Sequence, residues 1–182
     1  MDLLNLTVRE ATFEQKRQEI EEKVAGRFIV NCFKTSIWDE TLYGAWSKIV
    51  SYLLPNIDES KNKLRVLCEA LNADEIILFE RQTFLVISHY EHKTHNDLHR
   101  FEKISNIIKQ FKLSCIKTHY KFESLEVENE KFKAYVEGFT NSTYIMIVTS
   151  DKDVTYEAIS MNIKATRGCF NELLKGSYKQ KQ

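Results

Sequence analysis

The chain has 182 residues, enough for one ordinary domain or one domain plus a fragment. Lysine plus arginine and aspartate plus glutamate both number 26, and the zero formal charge argues against a general binder of nucleic acid or of anionic membrane surfaces. Apolar residues make up 43% and proline occurs once, which excludes a disordered chain and predicts a packed, regular fold.

No apolar run approaches the roughly 18 residues of a membrane span, so direct membrane insertion is not expected. The N-terminus, MDLLNLTVREATFEQ, lacks the basic-then-apolar order of a secretion signal. Cys32, Cys68, Cys115 and Cys169 are far apart, each at or beside an apolar periodic position. They are expected to be packed, reduced thiols in a cytoplasmic protein.

Residues 9–24 are strongly charged, with Phe13 and Ile20 as the main apolar anchors. This predicts a solvated surface helix ended by Gly26. Arg27 to Phe33, RFIVNCF, is a continuous apolar run without one-faced alternation, which predicts a buried strand of the parallel type. After the loop KTSIWDE, Leu42, Ala45, Trp46, Ile49, Val50 and Leu53 fall on one helical face, and Pro55 stops that helix. A helix, strand, loop and helix form the tail of an α/β unit. A parallel sheet needs more than one strand, so residues 1–55 are expected to be a fragment of a larger domain.

From Asn56 the pattern changes. Asn56 and Glu59 have capping spacing, and Ile57, Leu64, Leu67, Cys68 and Leu71 mark a helix. Ile76–Phe79 and Phe84–Ile87 are short apolar runs separated by Glu80–Thr83, which predicts a β-hairpin. Both strands are apolar on both faces, so both are expected centrally, covered on each side. Residues 97–114 form a helix whose stripe is Leu98, Phe101, Ile104, Ile108 and Phe111, with Thr94 and Asp97 at capping-box spacing. FESLEVE alternates, with Leu125 and Val127 on one face. FKAYVEGF alternates again, YIMIVTS is fully apolar, and Ile159, Ile163, Phe170 and Leu173 mark a last helix ended by Gly176. The order helix, two strands, helix, three strands, helix predicts an α+β fold: a five-stranded, mostly antiparallel sheet with helices on its faces. Residues 176–182 read as a flexible tail.

The search for chemistry returns little. The five glycines, Gly26, Gly44, Gly138, Gly168 and Gly176, stand apart, and no Lys-Ser or Lys-Thr follows one at phosphate-loop spacing. His89, His92, His95 and His99 cluster in sequence, but the pattern breaks between strand and helix and no Cys or carboxylate pair supports a zinc site. No metal site is expected. Cys115 and His119 are near neighbours, yet Cys115 continues the apolar side of a helix. No carboxylate pair marks an acid/base site, so no catalytic residue is assigned. Association remains: an edge strand beside an amphipathic helix can extend a sheet across two chains. The acidic residues Glu123, Glu126, Glu128 and Glu130 read equally as guards of an edge that stays unpaired.

TSIWDETLY at 35–43, ADEIILFER at 73–81, TFLVISHY at 83–90 and HRFEKISNIIKQFKLSC at 99–115 closely resemble the C-terminal portion of Rag/Gtr GTPases of the RagA/RagB type. The resemblance covers nearly the whole chain, thinning in the last thirty residues. It implies that residues 1–55 are the C-terminal remnant of a Ras-like α/β GTPase domain and residues 56–175 a roadblock-type dimerisation domain. It implies a guanine-base remnant of Asp2, Ser36 and Ile37, since Met1-Asp2-Leu3 falls inside the family's base-reading motif. It implies a dimer interface of Leu98, Phe101, Ile104, Ile108, Phe111, Leu125 and Val127. Intact relatives bind GTP or GDP with magnesium and signal amino-acid supply to the target-of-rapamycin complex. They do so as heterodimers with a RagC/RagD-type subunit, recruited to the lysosome or vacuole by a roadblock-type scaffold complex. Lacking the phosphate loop and switches, this chain is expected to act as a dimerisation module without GTPase activity of its own. A stand-alone roadblock scaffold, or a GTPase whose N-terminal half lies outside this chain, are the alternatives.

Overall fold

The computed structural model of the chain describes residues 6–36, 41–53, 57–94 and 99–175. It divides into two compact units, Met1–Trp46 and Ser47–Gln182.

The first unit holds helix α1, Leu6–Val24. Its surface is laced by ion pairs one turn apart: Lys16 with Glu19 at 2.7 Å, and Arg17 with Glu14 at 3.3 Å and Glu21 at 3.1 Å. Each such exposed pair adds little in water, but a helix with so few apolar anchors has little else to hold it. Ala25 and Gly26 follow at φ 48° and 69°, the left-handed exit that glycine favours. The segment RFIVNCF, expected as a buried strand, is neither a strand nor buried: Phe28 is 75% and Ile29 95% exposed. A strand exists only through its neighbour's hydrogen bonds, and no strand among the described residues pairs with this segment. Apolar composition alone cannot supply that neighbour.

Helix α2, Thr41–Leu53, uses only part of its predicted face. Ala45 is buried and Leu42, Ile49 and Val50 are half-buried, but Trp46 is exposed. Periodicity identifies a face; it does not say how far a covering neighbour extends.

The second unit carries helix α3 (Ile57–Ala70), strands β1 (Glu75–Glu80) and β2 (Val86–Glu91), helix α4 (Arg100–Lys117), strands β3 (Ser124–Glu128), β4 (Lys133–Gly138) and β5 (Thr143–Thr149), and helix α5 (Tyr156–Lys175). The five strands form one sheet in the order β2-β1-β5-β4-β3, with every pairing antiparallel. This is the α+β, five-stranded antiparallel sheet with helices on its faces that was expected. β5 is the centre and is buried at every position. Only β1 of the hairpin is central; β2 is an edge, contrary to expectation. β5 takes the other side of β1, with Glu75 opposite Val148 and Glu80 opposite Thr143, a long-range pairing that the hairpin sequence cannot reveal.

Strand alternation divides the core into two layers. Ile76, Leu78, Ile87, Tyr135, Ile145 and Ile147 point to one face, where Leu64 and Leu67 of α3, Leu71 just after it, and Ile159, Ile163 and Phe170 of α5 meet them. Ile77, Phe79, Val86, Ala134, Val136, Met146 and Val148 point to the other, where α4 supplies Ile108, with Phe101, Ile104 and Cys115 packed alongside.

A bulge at Leu78/Phe79 shifts the β1–β2 register. The turn before β2 is closed by the Glu80 carboxylate, which accepts from the Gln82 and Thr83 N–H groups and from the Thr83 hydroxyl at 2.6–3.0 Å. Burial pushes the Glu80 carboxyl up, but these bonds outweigh it and hold it below its ordinary value. Phe84 then takes φ 54°, uncommon for a bulky residue. Its ring explains the tolerance: it is fully buried, stacked 5.0 Å from Tyr144 and against Phe79 and Phe122 at 6.1 and 6.4 Å.

Helix α4 starts and ends three residues later than expected. Asp97 lies outside the described residues, and His99 at the N-cap makes no side-chain cap. Tyr120 and His119 N–H close the C-terminal end onto the Cys115 and Ile116 carbonyls at 2.9 and 3.0 Å, with His119 at φ 62°. The cysteines are unpaired, but Cys169 is exposed rather than packed. Cys68 is buried, its thiol donates to the Ala73 carbonyl at 3.1 Å, and burial pushes its pKa up to about 11. Phe170, not its neighbour Cys169, is the residue that turns inward. Phe84→Ala removes the ring that justifies the strained turn, and should lower the unfolding free energy by about 3–5 kcal/mol in urea titration.

Candidate functional site

Helix α4 is tied to the sheet by polar contacts along its length. At its start, Arg100 makes a two-pronged ion pair with Glu75 of β1, whose side chain is completely buried. In the middle, the Ser105 hydroxyl donates to the Phe84 carbonyl at 2.8 Å. Further along, Lys112 donates to the Arg81 carbonyl at 3.1 Å and sits 5.2 Å from the Phe84 ring centroid. A buried carboxylate is costly to leave alone, so the Glu75–Arg100 pair fixes where α4 begins. His89 of β2 lies 4.6 Å from the Phe101 ring beside this pair. Burial lowers its pKa. Glu75 and Glu91 oppose that shift, while Lys61 and Arg100 add to it.

The stripe expected at the dimer seam is divided by the structure. Ile108 is buried in the core, and Phe101 and Ile104 lean on it. Phe111 is 45% exposed and touches Phe122 edge-on at 6.1 Å, which links this side of α4 to the chain entering β3. Leu125 is half-buried against the same core layer, and Val127 is 43% exposed. Leu98 lies outside the described residues. Ile107, not singled out from the sequence, is 64% exposed. Its spacing of three from Ile104 and four from Phe111 is the signal in the sequence that marks it as a neighbour of the stripe. Leu113, Ile116 and Phe132 are also exposed.

Strand β3 is the sheet edge beside these residues. It pairs only with β4, Leu125 opposite Val136 and Val127 opposite Ala134, so its outer backbone groups face away from the sheet. Glu123, Glu126, Glu128 and Glu130 are all exposed. Glu128 approaches Lys133 at 3.8 Å and Glu123 pairs with Lys121 at 3.0 Å. Half of the acidic guard is thus already offset by lysine.

The remaining candidates separate. Cys115 is half-buried against the core, and His119 has left the helix. His92 is exposed, and His95 lies outside the described residues. Among the described residues no group of three His, Cys, Asp or Glu side chains converges as for a metal ion. Of the guanine-base remnant, Asp2 and Ile37 lie outside the described residues. Ser36 is buried, and its N–H donates to the Thr41 hydroxyl at 2.8 Å. With isolated glycines and that amide already engaged, the residues described do not form a cradle for a nucleotide phosphate and its magnesium.

Solved structures with this arrangement include MglB of Myxococcus xanthus, at TM-score 0.58 and 12% identity over 70% of this chain and 96% of that one. The likeness places the second unit in that fold class. The family model for the Gtr1/RagA G protein conserved region matches residues 1–108. The chain is 48% identical to Ras-related GTP-binding protein B of Rattus norvegicus over 95% of its own length and 46% of that protein. It is 46% identical to Ras-related GTP-binding protein A of Dictyostelium discoideum over 96% of its length and 58% of that protein. The chain belongs to the Gtr1/RagA (Rag/Gtr) family. It spans about half the length of these relatives.

Because His89 is less basic folded than unfolded, the unfolded chain takes up its proton first as the pH falls. Stability should therefore decline as pH drops below the ordinary histidine value of about 6.5. Urea midpoints between pH 7.5 and 5.5 should fall less steeply in His89→Gln than in the wild type.

Proposed function

We propose that this chain works as the dimerisation part of a Rag/Gtr-type GTP-binding protein, pairing through α4 and β3 with a RagC/RagD-type subunit. The observation that carries this reading is a sheet edge, β3, flanked on the α4 side by apolar residues left in water: Ile107, Phe111 and Val127. Two such edges brought together continue the sheet, and the exposed side chains bury each other above it. On this reading residues 56–175 form the dimerisation domain and residues 1–55 belong to the end of a GTPase domain with Asp2, Ser36 and Ile37 near the guanine base; residues 176–182, expected as a tail, lie outside the described residues. The intact protein binds GTP or GDP with magnesium. It joins a roadblock-type scaffold at the lysosome or vacuole surface, and reports amino-acid supply to the target-of-rapamycin complex. This chain supplies the pairing.

Sedimentation of the full chain with a RagC/RagD-type C-terminal domain tests the pairing. A one-to-one complex is expected. Ile107→Glu or Phe111→Glu should weaken it by about 2 kcal/mol or more, roughly thirtyfold in Kd. Met161→Glu, on exposed α5 surface, should leave it unchanged. No complex, or equal loss in all three variants, would overturn the assignment.

A further inference from the structure

At the far end of β4 from the β3–β4 turn, the sheet edge is open. β3 begins at Ser124 opposite Glu137, so Gly138 and the residues after it have no neighbour in β3. A cavity of about 440 Å³ lies there, between the chain entering β3, the end of β4 and the middle of α5. Four cationic residues line it: Arg81, Lys121, Lys164 and Arg167.

Two of the four are neutralised. Lys121 pairs with Glu123 at 3.0 Å. Arg167 reaches from α5 to the Glu137 carboxylate and the Gly138 carbonyl, both at 2.8 Å. Glu137 also accepts from the Tyr135 hydroxyl at 2.8 Å and the Ser160 hydroxyl at 3.2 Å, so three of its roughly four acceptor sites are taken. It has little acceptor capacity left for another cation.

The other two have no carboxylate partner among the described residues. Arg81 donates to the Thr140 carbonyl at 3.1 Å and lies 5.2 Å from the Tyr144 ring centroid, which fixes the guanidinium without neutralising it. No carboxylate among the described residues pairs with Lys164. The Arg167 Nε is buried without an acceptor. Asn141 and Asn171 add side-chain amides to the wall. The cavity is therefore rich in donors, and two of its positive charges have no carboxylate partner among the described residues, in a molecule whose total charge is zero.

We propose that this cavity binds a phosphomonoester. Such a group carries a charge of about −1.5 to −2 near neutral pH and three acceptor oxygens, matching two unpaired cations and the adjacent amides. A single carboxylate would leave one charge unmet. The ligand is a small phosphate ester or a phosphorylated side chain of another polypeptide; both present the same group. The cavity borders the start of β3 at Ser124, but its cationic residues, Arg81, Lys121, Lys164 and Arg167, are none of the apolar residues assigned to the pairing, so the two assignments are tested by different variants.

Calorimetric titration of the full chain with O-phosphoserine at fixed ionic strength tests the site. Saturable binding is expected, absent with serine, weakening as potassium chloride is raised. Lys164→Gln and Arg81→Gln should each weaken it roughly tenfold while circular dichroism shows the fold intact. Competition by inorganic phosphate at equal strength would identify a small ester as the ligand. Tighter binding of a phosphoserine peptide than of the free amino acid would identify a phosphorylated chain. No saturable binding by the wild type, or equal affinity in Lys164→Gln and wild type, would overturn the proposal.

Discussion

The two faces of the sheet are covered unequally, and much else follows from that. Two helices, α3 and α5, close one face around a continuous apolar layer. A single helix, α4, lies on the other. One helix is about 10 Å wide and strands are spaced by about 4.8 Å, so α4 cannot roof five strands. β3 is one of the two edge strands, and Val127 on it is left exposed, while α4 itself keeps Ile107 and Phe111 in water. The apolar surface that suits association is the part of a sandwich that one helix does not complete.

Such an arrangement needs α4 to be held in place by more than packing. The Glu75–Arg100 pair provides this at the helix start, where the carboxylate is wholly buried and the guanidinium reaches it from α4. A buried ion pair contributes little net stability compared with apolar residues of the same volume, because both charges lose their water. Its effect is on position: any other placement of α4 leaves Glu75 uncompensated. The contacts of Ser105 and Lys112 with the turn at Arg81–Phe84 act in the same sense. The strained backbone of Phe84 thereby serves two elements, seating its own ring in the core and presenting a carbonyl to α4.

The sequence was most legible where structure is local and periodic. The order of elements from Asn56 onward and the apolar stripe of α4 were readable from spacing alone. The edge position of β2 was not, because it depends on β5 pairing with β1 some seventy residues away. RFIVNCF misled for the same reason: its composition suits a strand, but strands are made by neighbours. The left-handed Phe84 gave no signal, since its cause is the ring cluster around it. In the candidate site the resemblance pointed to α4 and β3, whose pairing is proposed here. Burial then separated Ile108, which faces the core, from Phe111 and Val127, which face water, and added Ile107. A hydrophobic stripe marks the inside of a helix, whereas an association surface consists of apolar residues flanking that stripe.

Backbone amide hydrogen exchange across Ser124–Glu128 tests most directly whether β3 continues the sheet into a second subunit. In the presence of a RagC/RagD-type partner domain, the amides on its outer side should become strongly protected, together with those preceding and following Phe111 in α4. Complex formation with unchanged exchange in β3 would contradict edge-to-edge pairing and leave the strand a guarded edge.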